Sequence, residues 1–261
     1  MNTSAELQLA IQAARAAGAR LAEIMRGHKE ILSDAGRDIK MAADRDAEKI
    51  ILDLLQAHSG YGVLAEESGE HGAAEGGCFW VVDPLDGTLN FSRGIPLCCV
   101  SIGLMEGETP RVGVVYDFNR DRLYYGVPGE RSGVVEADGT EGPLAVSTLR
   151  EAGRGVLMTG FPTNRDYGPE ALRGTFFEIQ RFKKIRMIGT AALSMALVAC
   201  GCAEAYAEDE IMLWDVAAGL ALIEAAGGTI SVRPSSRMKW ARRVRVASHA
   251  DIWKEQAPAD R

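Results

Sequence analysis

Apolar residues first recur at helical spacing at Leu7, Ala10, Ile11, Ala14, Gly18, Leu21 and Met25, which predicts a helix over 5–25. Ser4 is its expected N-cap and Gly27 its expected stop. A second helical period, Ile50, Ile51, Leu54 and Leu55, predicts a helix over 42–57. Between the two, 28–37 has mixed polarity and reads as a loop or short hairpin, with an extended piece at 38–41. The period then changes. Cys78 to Val82 is a continuous apolar run, as in a buried strand, and Pro84 cannot donate to a ladder, so the strand should end at Asp83. Short apolar runs at 97–105, 111–118, 123–127 and 133–135, separated by turn residues, predict an antiparallel meander.

Beyond a connector at 139–147 the rhythm alternates. Strands at 156–159, 184–187 and 204–207 are interleaved with helices at 169–182, 191–199 and 213–226, and strands at 229–232 and 244–247 follow. Strand–helix alternation argues for an α/β layer. The expected organisation is therefore an N-terminal half, 1–142, and a C-terminal α/β half, 143–261, joined in one compact unit.

Composition narrows the class. With 47% hydrophobic residues, the 261-residue chain can bury a sizeable core, and a net charge of −7 argues against nonspecific nucleic-acid binding. Neither a signal-peptide pattern nor an apolar run of transmembrane length is present, so no membrane partner and a cytoplasmic location are expected. The five cysteines lie mostly in apolar runs and lack zinc-motif spacing. The four histidines are scattered, so no histidine-based metal cluster or nucleophile–base pair is visible. A hydrolase of this make-up must work with carboxylates.

The segment that offers them is Asp83-Pro84-Leu85-Asp86-Gly87-Thr88. Two acids stand three residues apart on a turn. Gly87 permits close backbone approach, and Asp86 or Thr88 can cap a helix whose free N–H groups would receive an anion. Hard oxygen ligands beside phosphate-binding amides suit Mg²⁺ or Mn²⁺ and a phosphate ester; the bland alternative is a capped turn. A calcium loop counted from Asp83 fails, because Gly94 falls where a bidentate glutamate belongs. Upstream, Tyr61-Gly62-Val63-Leu64-Ala65 runs into Glu66-Glu67; downstream, Trp214-Asp215 heads an apolar helix.

Together these three segments resemble the inositol monophosphatase family of metal-dependent sugar phosphatases, whose pattern is a Glu-Glu pair, Asp-Pro-Ile/Leu-Asp-Gly-Thr, then Trp-Asp and small residues. The resemblance runs through nearly the whole chain in the correct order. It implies a layered α-β-α-β-α sandwich, two or three Mg²⁺ ions (with Mn²⁺ as a substitute), lithium sensitivity and a homodimer. The implied metal ligands are Glu66, Asp83, Asp86, Asp215 and the Leu85 carbonyl, with Glu67 as a neighbouring catalytic acid. Asp44 and Thr88 inherit the task of deprotonating water, although the family often has threonine where Met41 or Ala43 stands here. Gly87 and Thr88 amides would hold phosphate, while Gly189, Thr190 and Glu208 would line the substrate pocket.

Four converging carboxylates need cations or protons, since each like-charge pair near 4 Å costs about 4 kcal/mol at an effective dielectric of 20. The implied reaction is hydrolysis of inositol monophosphate or another small polyol or sugar phosphate. Adenosine 3′,5′-bisphosphate, fructose 1,6-bisphosphate and histidinol phosphate are alternative substrates on the same scaffold, and a noncatalytic metabolite-binding protein is the alternative of a different class. A second phosphate would call for basic residues, which Arg165, Lys183 and Lys184 offer.

Overall fold

The computed structural model describes residues 3–27, 31–35, 38–74, 77–161 and 167–254, with the backbone alone at 31–35, 38–40 and 171. The first apolar stripe forms α1 (Thr3–Met25), burying Leu7, Ala10, Ala14, Gly18 and Leu21. Ser4 lies inside this helix and is not its N-cap. Strands β1 (Ile31–Ala35) and β2 (Asp38–Met41) pair antiparallel, the hairpin alternative for this stretch. The second period is α2 (Ala42–His58).

A large sheet follows: β3 (Gly62–Ala65), β4 (Gly69–His71), β5 (Cys78–Asp86), and, after the six-residue α3 (Thr88–Arg93), β6 (Cys99–Glu106), β7 (Thr109–Asp117), β8 (Arg122–Val127), β9 (Arg131–Val135) and β10 (Glu141–Gly142). Its order is β10-β9-β8-β7-β6-β5-β3-β4, with β3 parallel to β5 and an antiparallel meander from β5 to β9 as the pattern predicts. The short edge strands β4 and β10 carry too few residues to show a period of two.

The second sheet contains β11 (Val156–Thr159), β12 (Lys184–Arg186), β13 (Ala205–Met212), β14 (Thr229–Pro234) and β15 (Ala241–Ala247), in the order β12-β11-β13-β15-β14. Helices α4 (Pro169–Ile179), α5 (Ala191–Ala199) and α6 (Leu213–Ala225) accompany it. Helices α1 and α2 cover one face of the large sheet. Helices α5 and α6 fill the space between the sheets, and a cluster from 152 to 253 covers the far side of the small one. The result is the layered α-β-α-β-α sandwich. Among the described residues no helix is long and apolar enough to cross a membrane.

How closely α6 approaches the large sheet is set by three glycines paired side by side across β6, β7 and β8: Gly103, Gly113 and Gly126. A Cβ at Gly103 would stand 2.9 Å from the Ala217 Cβ, one at Gly126 would stand 3.0 Å from the Ala221 carbonyl, and one at Gly113 would overlap the Ala218 carbonyl oxygen. On the facing side α6 offers Ala217, Ala218 and Ala221, so backbone meets backbone. Gly113→Val should therefore cost at least about 1–3 kcal/mol, the usual range for overpacking, and thermal denaturation should show the lower midpoint. An unchanged midpoint would mean that the contact is looser than the geometry shows.

Two departures from expectation matter for the site. Strand β5 continues past Pro84 to Asp86, because one extra residue at Pro84-Leu85 forms a bulge opposite Val100 and the proline sits where no ladder N–H is needed. Strand β13 runs to Met212, beyond the expected 207, through a similar irregularity between Glu208 and Ile211, with Glu210 at φ 63°.

Candidate active site

The bulge in β5 solves a parity problem. Residues three apart on a regular strand point to opposite faces. Here Asp83 pairs with Ser101 and Asp86 with Cys99, and those partners are two apart, so both carboxylates emerge on one face. The same face receives the start of α6: Ser101 Oγ donates to the Trp214 carbonyl at 3.4 Å, and Asp215 sits in the helix's first turn, accepting the Met212 amide at 3.1 Å. Carboxylate oxygens of Asp83, Asp86 and Asp215 lie within 4.8 Å of one another. Glu66 joins from the turn just after β3, where its amide donates to the Val82 carbonyl at 3.1 Å, one residue before Asp83.

Burial, then mutual repulsion, pushes the carboxyl groups of Glu66, Asp83 and Asp215 well above the usual carboxylate range. Burial also raises Asp86, to about 6, against hydrogen bonds from the Thr190 hydroxyl at 2.5 Å and the Ala192 amide at 2.6 Å. Among the described residues no lysine or arginine forms an ion pair with any of the four. An all-oxygen, cation-poor cluster, with Asp83 and Asp86 buried and Glu66 and Asp215 half-buried, fits a hard divalent ion. The five backbone and carboxylate donors expected as ligands, Glu66, Asp83, Asp86, Asp215 and the Leu85 carbonyl, belong to segments that the fold brings together.

A second pair stands beside the cluster. Asp44, only 1% exposed, takes the Met41 amide on Oδ2 at 3.0 Å and the Thr88 hydroxyl on Oδ1 at 3.0 Å. Burial raises the Asp44 carboxyl to about 7, with the two hydrogen bonds opposing and Glu67 adding to the rise. The Thr88 hydroxyl is also 3.0 Å from the Leu85 carbonyl oxygen, so one proton lies between two acceptors. Glu67 is half-buried, and its amide donates to Glu48 Oε2 at 2.9 Å. Glu48, one turn beyond Asp44 on α2, is buried and holds the Glu66-Glu67 turn.

Neither Asp86 nor Thr88 caps α3 with its side chain. The N-cap is Gly87 at φ 95°, a conformation that a side chain disfavours, and a Cβ there would stand 2.8 Å from the Leu97 carbonyl. The helix therefore begins with its first amides, Thr88 included, unpaired within it. Asn90 Nδ2 donates to the carbonyls of Leu97 and Ile188, 2.7 Å each, which draws the loop holding Gly189 (φ 75°) against α3. Thr190 caps α5 by accepting the Leu193 amide at 3.3 Å while its hydroxyl holds Asp86. The hydroxyl of Thr190 is thus turned to the acid cluster, with Gly189 beside it in the chain. Glu208 is buried where β13 is irregular, packed against Gly160 so closely that a side chain at 160 would collide with its carboxylate. Lys183 and Lys184 are exposed where β12 begins, at the opposite end of that strand from Gly189, and Arg165 lies outside the described residues.

A family model for the inositol monophosphatase family matches residues 3–259. An inositol-1-monophosphatase from Synechocystis is 34% identical over 97% of this chain and 88% of its own length. A Nus factor SuhB from Xylella fastidiosa is 36% identical, over 86% of this chain and 80% of its own length. The solved inositol monophosphatase of Anabaena superposes with a TM-score of 0.80 at 33% identity, covering 97% of this chain and 94% of that one.

Proposed function

This chain belongs to the inositol monophosphatase family of phosphoric monoester hydrolases, and from that premise we propose that it hydrolyses inositol monophosphate or a closely related polyol phosphate with magnesium. The observation that carries the reading is the convergence of Asp83, Asp86 and Asp215 within 4.8 Å beside the Asp44–Thr88 hydrogen bond. In this reading Glu66, Asp83, Asp86, Asp215 and the Leu85 carbonyl hold two or three ions. Bound magnesium supplies Lewis acidity toward water and the phosphoryl group. Thr88 accepts a proton from the attacking water as its own passes to Asp44, which is deprotonated and waiting above its raised pKa. The negative charge of Glu67 adds to the rise at Asp44 and so to its basicity. The amides of Gly87 and Thr88 receive phosphate oxygens. Glu208, flanked by Gly160, accepts a substrate hydroxyl, and Gly189 and Thr190 complete the pocket wall.

Three further expectations belong to the same reading. We read 1–142 and 143–261 as halves of one unit, because the core between the sheets draws residues from both. Leu89, Ile95 and Met187, all substantially exposed around the Asn90 tie, support a homodimer. The five free thiols suit a reducing, cytoplasmic setting.

Phosphate release from inositol monophosphates, fructose 1,6-bisphosphate, histidinol phosphate and adenosine 3′,5′-bisphosphate, with and without Mg²⁺, tests the assignment. Inositol monophosphates should turn over fastest and only with metal. The exposed positions of Lys183 and Lys184 away from Gly189 weigh against the bisphosphate nucleotide. Preferential removal of its 3′-phosphate would overturn the substrate assignment; no turnover of any compound would favour a noncatalytic binder.

Metal and protons should compete for the acids. A carboxyl raised from 3.8 to about 7, as at Asp44, favours the folded state while protonated, and that contribution is lost as pH rises from about 4 through 7. Glu66, Asp83 and Asp215 are shifted in the same direction. The gain in melting temperature on adding Mg²⁺ to chelator-treated protein should thus be larger at pH 8 than at pH 5. A gain independent of pH would place the ion elsewhere.

A further inference from the structure

The turn joining β14 to β15 reaches two separate segments that carry acids of the cluster. Trp240 ends this turn. Its carbonyl accepts the Leu213 amide at 2.9 Å, one of the N–H groups left unpaired at the start of α6 and two residues before Asp215. Its indole N–H donates to Glu70 Oε1 at 3.2 Å, and Lys239 Nζ donates to the same oxygen at 2.8 Å. Glu70 is the middle residue of β4 and pairs with Leu64 of β3; the turn between those strands contains Glu66 and Glu67.

The indole is itself well anchored. It packs on Phe79 of β5 with ring centroids 6.0 Å apart, and Lys239 Nζ and the Arg242 guanidinium stand 4.9 and 5.9 Å from its centroid. Arg242 is buried and clamps Glu108, in the turn between β6 and β7, through Nη2 at 3.0 Å and Nε at 3.3 Å. By contrast, the hairpin that presents Glu66 ends in a three-residue strand at the sheet edge. Glu66 and Asp215 come from separate segments, and besides the β3–β5 ladder the contacts of Trp240 link those segments.

We propose that Trp240 is a positioning residue that sets the spacing between the Glu66 turn and the first turn of α6, its side chain holding one and its carbonyl the other. The inference rests on the metal-site reading above and concerns how tightly the cation is held, since Trp240 touches neither substrate nor the acids themselves. A lost strut lets the hairpin relax outward, and cation binding must then first draw the acids together.

Calorimetric titration of metal-free, full-length protein with Mg²⁺ tests this, alongside thermal denaturation and kcat at saturating Mg²⁺. Trp240→Phe keeps the ring on Phe79 but loses the N–H, and Glu70→Ala loses the acceptor. Each should weaken Mg²⁺ binding about tenfold, the low end for groups that support metal ligands. In both variants kcat at saturating Mg²⁺ should stay within about twofold of the wild type. Glu70→Gln retains an amide oxygen for the indole and should bind Mg²⁺ nearly as the wild type does. Glu70→Ala also frees Lys239, so the double variant should be no weaker than Glu70→Ala alone, which already removes the indole's acceptor. Variants that melt earlier yet bind Mg²⁺ with wild-type affinity would reduce Trp240 to a packing residue. Wild-type protein that bound no Mg²⁺ would instead bring down the metal reading on which the inference stands.

Discussion

Asp83→Asn should lower kcat by more than about a hundredfold while raising the melting temperature of the chelator-treated protein. The two signs come from one cause. Asp83 is 1% exposed, and its carboxyl is pushed far up by burial and by Glu66, Asp86 and Asp215 around it. Its charge is tolerable only with a proton or a cation present. Removing a supporting group of a metal ligand typically costs 10- to 100-fold, so loss of the most enclosed ligand itself should cost more. Asparagine keeps the shape and still accepts the Leu85 amide that now bonds Asp83 Oδ1 at 3.0 Å, so the bulge should survive. Without the charge, the metal-free protein loses repulsion worth up to about 4 kcal/mol per close pair. Added Mg²⁺ should then raise the melting temperature little. If the variant were both slower and less stable without metal, Asp83 would be acting as a structural hydrogen-bond acceptor and the cluster would need another explanation.

How much of this site could be read from the residues alone follows from the range of the interactions involved. The apolar runs of β5 to β8, the periods of α1 and α2 and the apolar stretches of α5 and α6 are local signals, and the elements appear within a few residues of where the pattern puts them. The acids of the cluster were found because they sit in short, distinctive segments beside strands and helix starts. Where each strand stops depends on its neighbours. Pro84 argued for an end to β5, but a bulge accommodates a missing N–H, and only the pairing with β6 reveals that the extra residue turns Asp83 and Asp86 to the same face. Strand β13 likewise outran its apolar core because Asp209 and Glu210 are carried by the irregularity, Asp209 by ion pairs with Arg243 and Arg245 and Glu210 by the Ser235 hydroxyl, not by burial alone.

Side-chain partners were the least legible. Thr190 was implied as pocket lining, whereas it caps α5 and its hydroxyl fixes Asp86 from 104 positions away in the chain. Glu48 belongs to none of the three motif segments, although it secures the Glu67 amide. The glycines at 103, 113 and 126 gave no warning either, since their meaning lies in α6, roughly a hundred residues on. Such contacts are products of tertiary assembly, for which neither period nor motif is a guide.

The remaining prediction separates proton transfer from metal binding. Asp44→Asn should lower kcat by roughly 10²- to 10⁴-fold, the range for loss of a general base, while KM changes much less. The amide oxygen of the substituted side chain could still accept the Met41 amide or the Thr88 hydroxyl, so the helix start and the position of Thr88 should persist. What disappears is the ability to take a proton. Because the Asp44 carboxyl is raised to about 7 and must be ionised to act, wild-type kcat should climb with pH through a midpoint at or below about 7; a nearby cation favours the charged form and moves that midpoint down. The limb should be missing from the Asp44→Asn profile. Thr88→Ala should be similarly slow, since the hydroxyl 3.0 Å from Asp44 Oδ1 is the path by which the proton arrives. The double variant should fall well short of the product of the two single effects, as expected for residues serving one step. Calorimetric Mg²⁺ affinity of both single variants should remain near that of the wild type, in contrast to Asp83→Asn. An Asp44→Asn enzyme with wild-type kcat and an unchanged pH profile would return Asp44 to the role of a buried acid that caps α2.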